Sequence, residues 1–330
     1  VDITIIGAGA IGGTIGAHMA RAGHGVLLCD ADADHVAAIN ADGLHIEGPV
    51  EDFTVRVDAV TPEELPSRVG PGGVGAAVVA VKSLHTASAA RVLAEVLAPD
   101  GYVLTTQNGL TADTLSEVVG AERVVSSFIN VGADYLEPGR ILQGNIAAFR
   151  IGELAGGAIT PRVGLLADAM PYALPTENVL GYLWGKEAYG AMLWAGAVSD
   201  LTIADSLSLP EYRDLMIAVA QEAIDQAPVQ VESFDGFVPD DLPGSLDRLA
   251  AFNRRSAKAR SGIWRDLMVR KRKTEVDEVH KDIQGPVFDR IVAMVHDVEE
   301  GRRTCERANL DELAAFVRDL PTPVSADAGR

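Results

Sequence analysis

The spacing of apolar and polar positions divides the chain into two stretches of different rhythm. In the first, short runs of β-branched residues alternate with segments of helical period. Ile3, Thr4, Ile5 and Ile6 form an uncharged run that reads as a buried strand. Residues 15–22 follow at helical spacing, and 26–29 read as a second strand. A short helix over 36–40 and short strands over 44–46 and 54–57 come next, then a Pro/Gly-rich loop over 66–75. A buried strand over 74–81, a helix over 85–97 and strands over 102–106, 124–130 and 145–151 complete this half, with a turn at Glu137-Pro138-Gly139.

The rhythm changes near Gly156-Gly157 and Pro161. Beyond it the pattern is helical over 161–169, 181–204, 209–225, 245–273, 276–303 and 310–320, broken by an acidic loop over 232–243 that carries two prolines. The pattern predicts an α/β protein, with a parallel sheet over 1–160, an all-helical domain over 161–320 and a disordered tail over 321–330.

Composition narrows the partners. A chain of 330 residues can hold two domains, and a net charge of −19 argues against nucleic acid or an anionic membrane surface. Any anionic ligand must therefore be drawn in by local positive groups. Cys29 and Cys305 lie far apart without metal-ligand spacing, as for buried thiols in a reducing compartment, and no metal site is expected. No apolar run reaches membrane-spanning length, and the apolar start lacks the basic region of a signal peptide. A cytoplasmic protein is the expectation.

The first strand runs into Gly7-Ala8-Gly9-Ala10-Ile11-Gly12, a G-x-G-x-x-G loop that opens a helix. Gly7 suits the tight turn, Gly9 lets the backbone amides approach a pyrophosphate, and Gly12 lets the helix lie close on the sheet. In that context the loop, with Ala10 and Ile11, reads as a dinucleotide site of the Rossmann type. About twenty residues on, Asp30 ends the second strand, where a carboxylate accepts the adenosine ribose hydroxyls. Asp30 opens the acidic run Asp30-Ala31-Asp32-Ala33-Asp34; a 2′-phosphate at Asp30 would be repelled and no arginine stands near, so NAD is expected over NADP. Of these acids Asp34 is the best placed to cap the following helix. Lys82 and Asn108 follow later strands, at carboxyl ends that face the ligand crevice of a parallel sheet.

In order along the chain stand the glycine loop, Val81-Lys82, Gln107-Asn108-Gly109, Ile151-Gly152-Glu153-Leu154, Trp184-Gly185-Lys186 and Thr274-Glu275-Val276-Asp277. The chain thereby resembles the ketopantoate reductases (2-dehydropantoate 2-reductases) from about Asp2 to Leu320. The resemblance implies reduction of a 2-oxo acid to a 2-hydroxy acid with NAD(P)H. It makes Lys186 the catalytic lysine, Glu275 a ligand of the substrate hydroxyl, and Asn108 and Lys82 neighbours of nicotinamide and substrate. An ammonium in hydrogen-bond reach stabilises the charge that develops on the carbonyl oxygen and can deliver its proton.

The chain also departs from that pattern. Asparagines usual four and eight residues after the lysine are replaced by Gly190 and Trp194, and Ser261 stands where an upstream serine is expected, one residue out of register. An arginine usual after the second strand gives way to Asp30-Ala31. These departures predict a small carboxylic acid substrate bulkier or more apolar than ketopantoate. An imine or β-hydroxy-acid dehydrogenase on the same scaffold and a non-catalytic NAD-binding protein remain as alternatives, and a homodimer is left open. The basic run from Arg248 to Lys273 is open to three readings: a solvated face paired with the protein's own acids, a subunit contact, or an arginine for a substrate carboxylate.

Overall fold

A computed structural model describes residues 1–107, 110, 112–255 and 259–321. Two compact units divide the chain, Val1–Leu183 and Trp184–Arg330. The first holds strands β1 (Asp2–Ile6), β2 (Gly25–Cys29), β3 (Leu44–Glu47), β4 (Phe53–Val55), β5 (Asp58–Val60) and β6 (Val74–Val79). It continues with β7 (Leu97–Thr105), β8 (Val124–Ile129), β9 (Ala133–Glu137), β10 (Arg140–Gln143), β11 (Phe149–Glu153) and β12 (Ala173–Pro175). Its helices are α1 (Ala10–Arg21), α2 (Ala33–Asp42), α3 (Leu65–Val69), α4 (Thr86–Val96), α5 (Ala112–Val119) and α6 (Pro161–Ala169).

The main sheet runs β12-β11-β8-β7-β6-β1-β2-β5, parallel throughout except where β11 meets β8. From β1 the chain winds outward to β2 and then crosses back to β6, so the order reverses between β1 and β6. Loops leaving the carboxyl ends of strands at such a switch point frame a crevice. Both faces of the sheet are covered, which is why its central strands are unbroken apolar runs. Ile5, Val78 and Leu104 pack with Leu28 on one side, Ile6, Val79 and Val103 with Leu93 and Leu115 on the other. A second sheet, β4-β3-β10-β9, lies against α1, where a Cβ on Gly13 would run into the Ile141 side chain. The turn at Glu137-Pro138-Gly139 joins its antiparallel strands β9 and β10.

The second unit is helical. Helix α7 (Val179–Ala197) leads into it, followed by α8 (Ile203–Ser208), α9 (Arg213–Asp225) and α10 (Leu242–Arg254). Then come α11 (Gly262–Trp264), which runs on as a π-turn over Arg265–Arg270, α12 (Val276–Asp282), α13 (Pro286–Glu299) and α14 (Arg307–Asp319). Met192, Tyr212, Leu215, Leu246, Phe288, Ile291 and Leu310 are buried in its core. No helix of the described residues is long and apolar enough to cross a membrane.

Several elements differ from the sequence pattern, for local reasons. The helix expected over 181–204 ends at Ala197, and the one over 245–273 stops at Arg254 and resumes at Gly262. Gly285-Pro286 divides the span 276–303, since proline can open α13 but not continue α12. Asp32, not Asp34, caps α2, its carboxylate accepting from the amides of Asp34 and His35. The basic run is largely paired within its own unit. Arg248 meets Asp241, while Arg270 and Arg272 both grip Asp266. Arg260 donates to the Leu201 carbonyl and lies over the Trp264 ring. The terminal residues 322–330 lie outside the described residues.

Candidate active site

At the switch point, the carboxyl end of β1 leads directly into the glycine loop. Gly7 has φ +97°, and a Cβ there would sit 2.8 Å from the Val81 amide nitrogen. A Cβ on Gly12 would collide with the Gly7 carbonyl and lie 2.9 Å from Ala80 Cβ, whereas one on Gly9 would meet nothing within 4 Å. Two glycines thus permit close packing, and the third leaves an open side beside the N-terminus of α1.

The loop is braced from two directions. Asp30 Oδ2 accepts from the Ala8 amide at 2.7 Å and Oδ1 from the Asp32 amide at 2.9 Å. Each oxygen keeps a lone pair for another donor. The buried His35 ring lies 2.9 Å from the Ala8 carbonyl through Nε2 and accepts the Gly139 amide at Nδ1, also at 2.9 Å. Because Nδ1 accepts, the ring proton of the neutral tautomer sits on Nε2 and points at Ala8. Tyr135 adds an edge-on ring contact to His35 and a hydroxyl donated to Asp32.

Lys82 follows β6 and is exposed, with no acid paired to it among the described residues. Behind it Gln107 is buried. Its Nε2 donates to the Val81 carbonyl at 3.0 Å and to Thr86 Oγ1 at 2.7 Å, tying the ends of β6 and β7 together. Gln107 belongs to the Gln107-Asn108-Gly109 element of the sequence pattern, which gave it no role of its own. Asn108 lies outside the described residues. Glu153, another element of the resemblance, clamps Thr160 and Arg162 at the start of α6.

Helix α7 is apolar almost all round and correspondingly buried. Its partly open positions are Leu180, Tyr182, Lys186, Gly190, Leu193 and Gly196, and from Tyr182 onward they recur every three or four residues and so share one stripe. Next to Lys186 the chain closes tightly: a Cβ on Gly185 would lie 2.9 Å from the Glu232 carbonyl oxygen and 3.1 Å from the Phe234 ring. One turn on, a Cβ on Gly190 would meet nothing within 4 Å. Trp194 turns into the core at 5% exposure, leaving Leu193 as the apolar side chain on the stripe. Burial pushes the Lys186 ammonium down to about 8, while the neighbouring Glu187 charge partly opposes that shift. Glu187 itself is buried, and desolvation raises its carboxyl to about 7. Sequence reasoning missed Glu187, although an acid on the buried side of an apolar helix is itself a signal.

Past Leu193 the stripe reaches a shallow pocket lined by Gly196, Ala197, Arg260, Ser261 and Trp264. Ser261 Oγ accepts from the Trp264 amide at 3.1 Å and so caps α11. The Trp264 indole N–H is buried without a hydrogen-bond partner among the described residues. Glu275 stands at the N-terminus of α12 with an exposed side chain that does not cap the helix.

A glycine loop at the switch point of a parallel sheet, followed by a helical unit with a depressed lysine on a buried helix, is the layout of a dinucleotide-dependent oxidoreductase. Residues 3–156 match the family described as ketopantoate reductase PanE/ApbA. The 2-dehydropantoate 2-reductase of Pyrococcus abyssi is 29% identical over 291 residues, covering 86% of this chain and 90% of that one. That of Mesorhizobium japonicum is 32% identical over 192 residues, covering 52% of this chain and 57% of its own length. The crystal structure of a PanE/ApbA family ketopantoate reductase from Ralstonia eutropha superposes with a TM-score of 0.75 at 26% identity, covering 92% of this chain and 99% of that one. D-mandelate dehydrogenase with NADH and anilino(oxo)acetate reaches the same TM-score at 20% identity, covering 91% and 99%, and shares the fold. Over most of its length the chain is thus similar to the 2-dehydropantoate 2-reductases, and its residues 3–156 carry the match to the ketopantoate reductase family model.

Proposed function

We propose that the protein interconverts a 2-oxo acid and a 2-hydroxy acid with NAD, on an acid bulkier than ketopantoate. One observation carries this reading: the stripe of α7 that stays open presents Lys186, with its ammonium lowered to about 8, beside the empty space at Gly190. When bound, the nicotinamide supplies or takes up the hydride. The residues of the glycine loop suit such a group, since the side of Gly9 is open and the N-terminus of α1 favours phosphate. Asp30 keeps lone pairs for ribose hydroxyls, and Asp30, Asp32 and Asp34 disfavour a 2′-phosphate. Lys82, exposed after β6, adds a local cation.

Lys186 donates a hydrogen bond to the carbonyl oxygen, stabilises the charge that builds there and delivers a proton to it. In the oxidative direction the neutral amine takes the hydroxyl proton. An acidity near 8 lets the same group serve in both directions around neutrality. By the resemblance, Glu275 is the group that accepts from the substrate hydroxyl, and Asn108 and Ser261 are further polar contacts of the substrate. Gly190 and Leu193 offer space and apolar surface to the substituent on the oxo carbon, with Trp194 as the packed wall behind them.

Initial rates of reduction with NADH and with NADPH, for ketopantoate and phenylglyoxylate, test the reading in wild type and Lys186→Ala. Faster, lysine-dependent turnover of the larger acid with NADH is expected. Equal rates on both acids would remove the size argument. NADH binding without turnover of any 2-oxo acid would favour the non-catalytic alternative, and turnover of an imine alone would select the other.

A further inference from the structure

The segment that carries Glu275 is held on both sides by the last turn of α13. Immediately before it, the Thr274 amide and hydroxyl both donate to Glu299 Oε1, each at 2.7 Å. The Glu299 side chain is only 5% exposed, so these are partly buried, charge-assisted bonds, the stronger kind. Immediately after Glu275, Val276 is buried at 1% exposure and its amide lies 3.4 Å from Thr274 Oγ1. One residue further, Asp277 Oδ1 sits 3.0 Å from His296 Nε2, and the other ring nitrogen of His296 sits 3.2 Å from Glu299 Oε2. Residues 274, 276 and 277 are therefore each tied down, and the one between them, Glu275, keeps an exposed side chain. Lys271, three residues before Thr274, adopts φ +47°, so the approach to this segment turns sharply out of the π-turn.

We propose that Glu299 is a positioning residue: it fixes the backbone at Thr274 so that the carboxylate of Glu275 is presented in one orientation to the substrate hydroxyl. The inference rests on the reading of Glu275 as a substrate ligand. It gives Glu299, 24 residues further along and at the end of another helix, a function in turnover without contact with the reactants. A misplacement of about 1 Å at a positioned group can cost a hundredfold in rate, so a large effect from a remote carboxylate is physically reasonable.

The test is a double-mutant cycle on Glu275→Gln and Glu299→Ala. Its readouts are kcat and KM for whichever of ketopantoate and phenylglyoxylate the wild type reduces faster with NADH. Glu299→Ala should lower kcat/KM by roughly tenfold to a hundredfold. In the Glu275→Gln background it should have almost no further effect, because it acts through the group already removed. Glu299→Gln, which keeps an acceptor for Thr274, should restore most of the loss. Amide hydrogen exchange over Val276–Asp282 should quicken in Glu299→Ala, a readout independent of turnover.

Losses that multiply in the double variant would overturn the role of Glu299 while leaving Glu275 as a ligand. A neutral Glu275→Gln would remove the reading of Glu275 and this role with it. Should Glu299→Ala fail to fold, Thr274→Val, which deletes only the hydroxyl bond, completes the same cycle, and multiplicative losses there count equally against the proposal.

Discussion

Replacing Lys186 by methionine should make the helical unit more stable while nearly abolishing turnover. Burial holds the Lys186 ammonium at about 8 against 10.5 for an ordinary lysine, and that gap corresponds to roughly 3 kcal/mol. The sign follows from proton linkage. Below pH 8 the group is charged in both the folded and unfolded chain, and folding bears the whole desolvation cost. Between 8 and 10.5 the folded chain holds fewer protons than the unfolded one, so the cost shrinks as pH rises; above 10.5 it is gone. Methionine has a similar length and no charge, so the variant should gain up to roughly 3 kcal/mol at pH 7, falling toward zero near pH 10.5. Part of the gain is offset because Glu187 loses its nearby cation and its carboxyl rises further. The three tryptophans, Trp184, Trp194 and Trp264, all lie in the second unit, so guanidinium unfolding followed by indole fluorescence reports on it alone. The same variant should lose about a hundredfold or more in kcat. A Lys186→Met protein less stable than wild type at pH 7, or a difference that does not shrink toward pH 10, would refute the desolvation argument.

Other expectations can be checked in the same preparations. Gly190→Leu should raise KM for phenylglyoxylate at least tenfold and leave pyruvate nearly unaffected, while stability rises by about 1 kcal/mol as glycine leaves a helix interior; equal losses on both acids would count against a substituent over Gly190. Ala31→Arg should improve use of NADPH in side-by-side KM measurements, since it adds a cation beside Asp30 without touching that residue's bonds. Asp30→Asn should weaken NADH binding and also loosen the loop, because an amide cannot accept from both Ala8 and Asp32; a cost of about 1–3 kcal/mol is expected in a urea titration read by circular dichroism. Glu187→Gln should leave stability unchanged near pH 4 and raise it by roughly 3 kcal/mol above pH 7, since a carboxyl raised from 4.5 to about 7 burdens the fold progressively over that interval. It should also move the alkaline fall in reduction rate to lower pH, as Lys186 loses the charge that supports its ammonium.

What could be read from the chain depended on whether a residue's task was local. Gly7 and Gly12 were legible because turn and close packing impose themselves within a few residues, and both meet the neighbours that such tasks require. The strands at Ile3–Ile6 and 74–79 were legible for the same reason, as buried parallel strands must be apolar throughout. Helix ends were harder: neither Ala197 nor Arg254 is followed by a glycine or proline that would mark the stop. Asp32 took the cap expected of Asp34 because the first turn of α2 begins one residue after it. Trp194 lies eight residues after Lys186 and four after Gly190, yet a 3.6-residue period has drifted by then, and the indole turns inward while Leu193 stays out. Contacts such as His35 with Gly139, 104 residues apart, leave no trace in a local pattern.

That last contact, together with Asp30, shows how the dinucleotide loop is prepared. Ala8 is wholly buried; its amide is taken by one side chain and its carbonyl by another, and neither bond waits for a ligand. A loop ordered in this way has little conformational entropy left to lose, so binding should be governed by diffusion and charge rather than by loop closure. On such a scaffold affinity is set mainly by how fast the cofactor leaves, and a single binding phase whose rate rises linearly with cofactor concentration is the kinetic signature that a preorganised loop would leave.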